Sequence, residues 1–425
     1  MNHTYNLVEL FSGIGSQAKA LKNLGCTVNT LGICEWDIHA FIAYDAIHAS
    51  PELPDDVKTM TKDQLLSFLE PFVLSNNGKE KMDYKVLKTY SVEVLRRVYA
   101  AVRRNNNFVD VSSLNGSSMP DDIDILTYSF PCQDLSNVGA FHGYTKGIDK
   151  DSGSRSSLLW QVGRILQEMN EAGKSLPRYL LLENVPTLLS DRHKSNFETW
   201  ISDLEALGYV SKYFQLNASA FGLPQNRPRL LMVSVYVGND EVLKQRVLSY
   251  WKSKTETDVV KEYQNSKYYR KTAVSELLRI DYSNPRLFDE AVACTPNDTV
   301  SRREIWNENP QIVLQNGTIN PDIDVIRTIT TKQDRNPNSG NLYFESGIAG
   351  RGTFRYLTPR ECFLFMGFTD EDYDNVIKNN PEVRKNSCLF PRDKLIRMAG
   401  NSIPVRLLEG IFLQITKIDE FIQNK

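Results

Sequence analysis

Residues 5–37 read YNLVELFSGIGSQAKALKNLGCTVNTLGICEWD, and this stretch decides the fold because two apolar runs flank an amphipathic segment. Residues 5–11 and 27–34 each have the length and composition of a short buried strand. Residues 16–24 have a helical pattern, and Gly25 follows them at the position where glycine is favoured beyond a helix end. Strand, helix and strand in this order predict an α/β fold built on a parallel sheet.

The same rhythm continues along the chain. Further apolar strands are predicted over residues 123–130, 179–185 and 230–237, with helices over 156–169, 358–368 and 403–422. The pattern predicts a mainly parallel, doubly wound sheet with helices on both faces, which is a Rossmann-like arrangement. Because ligands bind beyond the carboxyl ends of the strands in such sheets, we expect the motifs that follow strands to meet on one rim.

Two stretches interrupt this rhythm. Residues 51–104 are polar and helical in pattern and are interpreted as an insertion, while residues 239–352 have weak periodicity and are expected to be irregular. We therefore predict a catalytic and cofactor-binding domain over residues 1–238 and 396–425. A smaller domain is predicted over residues 239–395.

Composition excludes several classes of protein. The 425 residues carry a net charge of −2, which argues against a protein that coats nucleic acid but is compatible with a local basic cleft. The six cysteines include no C-x-x-C pair and no zinc-finger spacing, so free thiols and no metal site are expected. No apolar run could span a bilayer, and residues 1–10 lack the pattern of a secretion signal, so the sequence predicts a cytoplasmic protein without a membrane partner.

Two features point to a cofactor that contains adenosine. The turn after the first strand reads FSGIG over residues 11–15, and glycines there let a ligand approach the start of a helix. Glu35 after the second strand could accept hydrogen bonds from ribose hydroxyls, and Trp36 offers an apolar face to an adenine. The turn is not G-x-G-x-x-G, which makes a nicotinamide or flavin dinucleotide less favoured. An ordinary turn, and a helix cap followed by a core tryptophan, remain the structural alternatives.

Three further motifs carry groups able to do chemistry. Cys132 lies just past a predicted strand, next to Pro131, and a thiol there could act as a nucleophile if its pKa is lowered. Glu183 ends the next strand and could donate a proton to a ring nitrogen. Arg227 and Arg229 could bind a base carbonyl, a phosphate or a carboxylate. Taken singly, the cysteine could be a buried structural residue, and the other motifs could be surface loops.

Six motifs occur in an order that resembles one family. They are FSGIG (11–15), PCQ (131–133), ENV (183–185), QNRPR (225–229), RYLTPRECFLFMG (355–367) and AGNSI (399–403). This set resembles the bacterial cytosine-5 DNA methyltransferases from end to end, apart from residues 51–104 and most of 239–352. The resemblance implies a DNA (cytosine-5)-methyltransferase that uses S-adenosylmethionine and releases S-adenosylhomocysteine.

The resemblance also implies a role for each catalytic position. Cys132 would add to C6 of a cytosine flipped out of the duplex, and Glu183 would engage the ring N3 and the exocyclic amine. Arg227 and Arg229 would steady the base carbonyl and the loop that carries Cys132 and Gln133. Carbon 5 would then take the methyl group, a base would remove the C5 proton, and the cysteine would leave.

The positions that would bind the cofactor are spread along the whole chain. Asp110 would approach the adenine amine, although the sequence around it matches the family only loosely. The full set implied by the resemblance is Phe11, Gly13, Ile14, Gly15, Glu35, Trp36, Asp110, Pro131, Leu158, Asn401 and Ser402.

The variable region between residues 229 and 355 corresponds to the target-recognition region of the family. Its side chains able to read base edges or hold phosphates are Thr328, Thr330, Lys332, Gln333 and Arg335. The expected partner is double-stranded DNA, to which a monomer would bind at the nucleoid. A restriction endonuclease is a possible functional partner, which would make the chain the protecting enzyme of a restriction-modification system.

Three alternatives compete with this interpretation. An RNA cytosine-5 methyltransferase on the same fold would carry nearly the same catalytic residues. A catalytically silent DNA-binding relative should lack the thiol, the acid or the glycine turn, all of which are present. A nicotinamide-dependent oxidoreductase would explain Gly13, Gly15 and Glu35. It would leave Cys132, Glu183 and Arg227 without a role.

Overall fold

The computed structural model describes residues 3–131, 158–333, 339–384 and 387–423. Its central sheet has six strands in the order β2-β1-β3-β4-β7-β5, and β1, β2, β3 and β4 run parallel. These strands are β1 (Thr4–Leu10), β2 (Thr27–Cys34), β3 (Ile125–Tyr128), β4 (Tyr179–Asn184), β5 (Tyr209–Asn217) and β7 (Pro228–Tyr236), with the short β6 (Gln225–Asn226) just before β7. The predicted mainly parallel sheet is confirmed.

Strand β7 differs from the expectation in its direction. It was predicted as one more strand of the parallel set, but it runs antiparallel to both β4 and β5. Strand β5 was not predicted at all, because Lys212 and Gln215 interrupt its apolar pattern at the edge of the sheet. The reversed direction of β7 brings its first residues to the rim where β4 ends.

Helices cover both faces of this sheet. Alternate strand residues point to opposite sides, so Leu7 and Ile125 join one apolar cluster while Val8 and Leu126 join another. The helices, in chain order, are α1 (Ser16–Asn23), α2 (Ile38–His48), α3 (Asp55–Lys58), α4 (Lys62–Leu69), α5 (Tyr84–Lys88), α6 (Val92–Arg104), α7 (Leu159–Glu171), α8 (Asp191–Ala206), α9 (Glu241–Lys252), α10 (Glu256–Gln264), α11 (Val274–Leu277), α12 (Pro285–Ala293), α13 (Val300–Glu308), α14 (Pro359–Phe365), α15 (Asp370–Lys378), α16 (Arg392–Asn401) and α17 (Val405–Gln423). The doubly wound architecture is thereby confirmed.

The stretch 51–104 is helical, as predicted, and contains α3 to α6. Helix α6 begins at a cap in which Ser91 accepts from the backbone N–H of Val94. Its apolar side buries Leu95 and Val98, and it packs against α2 and α4. The insertion is therefore fastened to the helix that directly follows the Glu35–Trp36 motif.

The stretch 239–352 is more regular than expected. The prediction of an irregular segment was wrong, because α9 to α13 occupy much of residues 241–308. Val247 and Trp251, and then Val259 and Tyr263, are buried pairs at helical spacing, and α9 and α10 pack against β5 and α17. These two helices thus lie on the central sheet. The division into two domains stays a prediction.

The later part of the chain forms small sheets. The strands β8 (Gln311–Val313), β10 (Asn341–Tyr343) and β11 (Phe354–Arg355) form one sheet, β9 (Ile326–Arg327) pairs with β6, and β12 (Glu382–Arg384) pairs with β13 (Ser387–Cys388). The β6–β9 pair joins the predicted recognition segment to the rim of the central sheet. Within the described ranges, no helix is long and apolar enough to cross a membrane.

Candidate active site

A cavity of about 400 Å³ opens at the carboxyl ends of β1, β2, β3 and β4. The predicted catalytic residues Glu183, Arg227 and Arg229 line it together with residues predicted for the cofactor. The latter are Phe11, Gly13, Ile14, Glu35, Trp36, Asp110, Pro131, Leu158, Asn401 and Ser402. Residues nearly 400 positions apart therefore share one cavity, at the place where ligands bind in this class of sheet.

The turn after β1 has a backbone that favours glycine. Gly13 has a φ of +55°, and a Cβ built on it would meet no atom within 4 Å. Its N–H donates to Oε2 of Glu35 over 3.0 Å. The turn is therefore tied to the end of β2, and it leaves open space directly above Gly13.

Gly15 differs from the other predicted cofactor residues because it does not line the cavity. Its φ is +79°, and a Cβ there would lie 2.2 Å from Nε2 of His48. The same Nε2 lies 3.0 Å from the carbonyl oxygen of Ile14. Gly15 is required for the close packing of the turn on α2, and its effect on a ligand is indirect.

The carboxyl group of Glu35 is held by backbone amides on both sides. Oε2 accepts from Gly13 N, and Oε1 accepts from Asp37 N over 2.9 Å. Burial raises the pKa of Glu35 to about 7, against the lowering effect of these hydrogen bonds. Each oxygen keeps a second lone pair, so the group can still accept from the hydroxyls of a ribose.

Asp110 reaches the same cavity in spite of the insertion before it. The side chain of Asn107 accepts from the backbone N–H of both Glu35 and Val109, and its Nδ2 donates to the carbonyl oxygen of Glu35. Val109 has a φ of +66°, which turns the chain sharply before Asp110. The loop that carries Asp110 is thus fixed to the end of β2, next to Trp36.

The turn after β1 contributes an unsatisfied hydroxyl group to the cavity wall. Ser12 lines the cavity and is 3% exposed, and its Oγ has no hydrogen-bond partner among the described residues. Asn401 and Ser402 lie on the cavity as well. A buried hydroxyl without a partner is costly, so its position beside the glycine turn fits a polar ligand group. Ribose acceptors, an aromatic face and this hydroxyl together fit S-adenosylmethionine.

Glu183 and Arg229 form an ion pair on the rim. Nε of Arg229 lies 2.7 Å from Oε1 of Glu183, and both side chains are about nine-tenths buried. Burial raises the pKa of Glu183, and the charges of Arg229 and Arg227 oppose that rise. The pair exists because β7 is antiparallel to β4, which places Leu230 opposite Asn184 at this edge. A carboxyl group in this position can exchange a proton with a ring nitrogen.

Arg227 lies deeper than Arg229 and has different partners. It is 2% exposed and donates to the carbonyl oxygens of Ile329, Gly400 and Ser402 over 2.7 to 2.9 Å. Gln225 accepts from the N–H of Ile329 at the same junction. Alternate residues of the QNRPR motif therefore have different roles. Gln225 and Arg227 bind the backbone of other chain segments, whereas Arg229 faces Glu183.

The predicted recognition residues begin at this junction. Thr328 donates to the carbonyl oxygen of Asn226, and Thr330 donates to that of Lys332, whose own side chain is exposed. Gln333 is 2% exposed and close to Ser339, so its side chain faces the interior. Their contact with DNA stays a prediction, and the burial of Gln333 does not favour it.

Three predicted residues, Cys132, Gln133 and Arg335, lie outside the described residues. The preceding residues lead to the cavity, because Nδ2 of Asn184 donates to the carbonyl oxygen of Phe130 over 3.2 Å and Pro131 lines the wall.

Sequence reasoning missed Ser12, Asp37 and Arg397 as residues of the cavity wall. Ser12 and Asp37 stand inside motifs that were singled out, so a residue-by-residue interpretation could have found them. Arg397 lies three residues before Gly400 and gives no signal of its own in the sequence.

The sequence matches the family described as C-5 cytosine-specific DNA methylase over residues 83–417. It is 30% identical to the Type II methyltransferase M2.ScrFI of Lactococcus lactis subsp. cremoris, over 96% of this chain and 98% of that protein. It is 28% identical to the orphan methyltransferase M.SssI of Spiroplasma monobiae, over 96% of each chain. The fold is similar to that of the S. pombe Dnmt2 methyltransferase, with a TM-score of 0.58, 16% identity and coverage of 97% of this chain and 98% of that one.

Proposed function

The chain belongs to the C-5 cytosine-specific DNA methylases and is a DNA (cytosine-5)-methyltransferase; we propose that its cavity binds S-adenosylmethionine beside a flipped-out cytosine. The observation that carries this proposal is that the Glu183–Arg229 pair and the Glu35–Trp36 motif line one cavity. A methyl transfer requires its donor and its acceptor within bonding reach of each other.

The cofactor half of the site is proposed as follows. Glu35 accepts hydrogen bonds from the ribose hydroxyls, Trp36 packs on the adenine, and Asp110 accepts from the adenine amine. Ser12 and Asn401 bind the amino acid end, where the unpartnered hydroxyl of Ser12 gains a partner. When bound, S-adenosylmethionine supplies an electrophilic methyl group on its sulfonium.

The base half of the site activates the cytosine. Protonated Glu183 donates a hydrogen bond to N3, which draws electrons from the ring and makes C6 more electrophilic. Arg229 contacts the base carbonyl, and its Nε, 2.7 Å from Oε1 of Glu183, keeps the carboxyl group in place. Arg227 acts through the backbone, because its three carbonyl partners belong to the recognition segment and to the segment that carries Asn401.

Cys132 is proposed as the nucleophile. Its thiolate adds to C6, and C5 then takes the methyl group, whose bond to the sulfonium sulfur breaks to leave a neutral thioether. A base removes the C5 proton, and the bond between C6 and the cysteine sulfur breaks to restore the aromatic ring. The cytosine must leave the duplex because the face of its ring is inaccessible within the stack. Gln133 lies next to this nucleophile in the sequence.

Substrate and cellular role are proposed from the relatives and the variable region. Duplex DNA is favoured over RNA because the family that the chain matches is described as DNA methylases. We propose that residues 328–335, apart from the buried Gln333, contact the target site and that the chain acts as a monomer. Pairing with a restriction endonuclease fits the Type II relative, whereas the orphan relative fits a methylase without one.

The test is transfer of a labelled methyl group from S-adenosylmethionine to duplex DNA, with transfer RNA as the competing acceptor. We expect DNA to be labelled, and we expect Cys132→Ser to abolish labelling. Cys388→Ser is the matched control because Cys388 is an exposed free thiol in the small β12–β13 sheet. DNA with 5-fluorocytosine at the target should become covalently trapped, since its C5 carries no removable proton. Full activity of Cys132→Ser would refute the mechanism.

A further inference from the structure

One loop of the insertion, residues 75–78, reaches the wall of the cofactor cavity through Gly78. We propose that Arg397 is a positioning residue that fastens this loop over the nucleoside end of the cavity and thereby sets the affinity for S-adenosylmethionine. The inference rests on the proposed function of the cavity. It assigns a role to a part of the insertion that precedes the family match over residues 83–417.

The loop pairs directly with the segment that carries Trp36. The N–H of Ser75 donates to the carbonyl oxygen of Trp36 over 2.8 Å, and the N–H of Ile38 donates to that of Ser75 over 2.9 Å. These two bonds make a short parallel bridge between Ser75 and Asp37. The loop therefore extends the wall beside the residues proposed to hold the nucleoside.

The loop has a defined shape of its own. Oγ of Ser75 accepts from the N–H of Gly78 and donates to the carbonyl oxygen of Glu80, while Asn77 accepts from the N–H of Lys79. Gly78 has a φ of +65°, and a Cβ there would lie 3.1 Å from Oδ2 of Asp37. A side chain at this position would push against the aspartate.

Arg397 joins three parts of the chain at this point. From α16 it donates through one nitrogen to the carbonyl oxygen of Asn77 and through another to Oδ2 of Asp37. Lys394, one turn earlier, donates to the carbonyl oxygen of Asn76 over 2.6 Å. The helix that fastens the loop is the same helix that ends at Asn401, so the loop and Asn401 both depend on its position.

Asp37 links Arg397 to Glu35, the proposed ribose acceptor. Its backbone N–H donates to Oε1 of Glu35, and its side chain accepts from both the N–H and Nδ1 of His39. Although burial acts to raise it, the pKa of Asp37 is held below its usual value by the hydrogen bonds from His39 and by the charge of Arg397. Loss of Arg397 would leave a buried carboxylate short of a cation, which favours movement of the Asp37 backbone and of Glu35 with it.

The test compares Arg397→Met and Arg397→Lys with the wild-type chain. Binding of S-adenosylmethionine is measured calorimetrically without DNA, and kcat and KM are measured for both substrates. We expect Arg397→Met to raise the Kd for S-adenosylmethionine on the order of tenfold, with a smaller rise for Arg397→Lys. The base half of the site is untouched by these substitutions. We therefore expect kcat at saturating cofactor and KM for DNA to change less than about twofold, since distant sites that share no partners are nearly independent.

A second pair of variants tests the loop without touching the arginine. Gly78→Ala should weaken cofactor binding, whereas Gly173→Ala should not, because Gly173 has the same backbone strain at φ +70° but no atom within 4 Å of an added Cβ. If Arg397→Met does not fold, the comparison of Gly78→Ala with Gly173→Ala still shows whether the loop affects cofactor affinity. Equal Kd values for the wild type, Arg397→Met and Gly78→Ala would overturn the inference alone. A wild-type chain that binds no S-adenosylmethionine would instead overturn the proposed function on which it rests.

Discussion

Arg227 provides the sharpest test of how the site is assembled. Arg227→Met keeps much of the volume of the side chain but removes every donor, so the carbonyl oxygens of Ile329, Gly400 and Ser402 lose their charged partner. The expected result is a less stable protein whose cofactor wall and recognition segment are no longer joined. Both thermal unfolding and cofactor binding can detect this.

The size of the effect follows from the contacts. A hydrogen bond to a charged group contributes about 1.5–3 kcal/mol, so three would contribute roughly 4.5–9 kcal/mol. Water can reach the two carbonyls that border the cavity, so we expect a loss at the lower end of this range, about 4.5 kcal/mol. With an unfolding entropy of about 2.1 cal/mol/K per residue, 425 residues give about 0.9 kcal/mol/K, and Tm should fall by roughly 4–5 °C.

The matched control is Arg229→Met, two residues further along the chain and inside β7. Arg229 has Glu183 as its charged partner, and a carboxyl group that loses its cation can take up a proton instead. We therefore expect a loss of only about 1 kcal/mol in stability but a loss of methyl transfer of at least about a hundredfold. The reasoning is refuted if calorimetry finds Arg227→Met unfolding within 1 °C of the wild type, or if Arg229→Met proves the less stable of the two.

Three further predictions concern Glu9, the two glycines of the turn after β1, and Glu183. Burial raises the pKa of Glu9 to about 7 from 4.5, so its stabilising contribution, about 3 kcal/mol, should be complete below pH 4.5 and lost as the pH rises to 7. Denaturation of Glu9→Gln at several pH values should show that part of the pH dependence removed, and an unchanged slope would contradict it. Gly15→Ala should cost about 3 kcal/mol through its collision with His48, whereas Gly13→Ala should fold nearly normally but bind the cofactor poorly; equal melting curves for the two would count against this. Glu183→Gln should lower kcat by about a hundredfold and abolish the fall in rate that follows ionisation of Glu183 as the pH rises, which a pH–rate profile measures.

The sequence by itself determined the central architecture and most of the proposed site. Alternating apolar runs predicted β1 to β4, and the rule that ligands bind at the carboxyl ends of parallel strands brought Glu35 and Glu183 to one rim. These conclusions need only local patterns and the fact that the carboxyl ends of parallel strands lie on one rim. For the same reason, the boundaries of β1 and α1 were close to those observed.

Only the tertiary structure decided how the rim is held together. The antiparallel direction of β7 sets Arg229 beside Glu183 while Arg227 turns inward, and a run of residues such as QNRPR does not state which arginine faces the cavity. Gly15 and Gly13 have the same appearance in the sequence, yet one packs on His48 and the other opens to the cavity. Contacts such as Arg397 with Asp37 and Asn77 join residues about 320 or more positions apart. Local patterns carry no information about such pairs, because the packing of α16 against the insertion determines which residues meet.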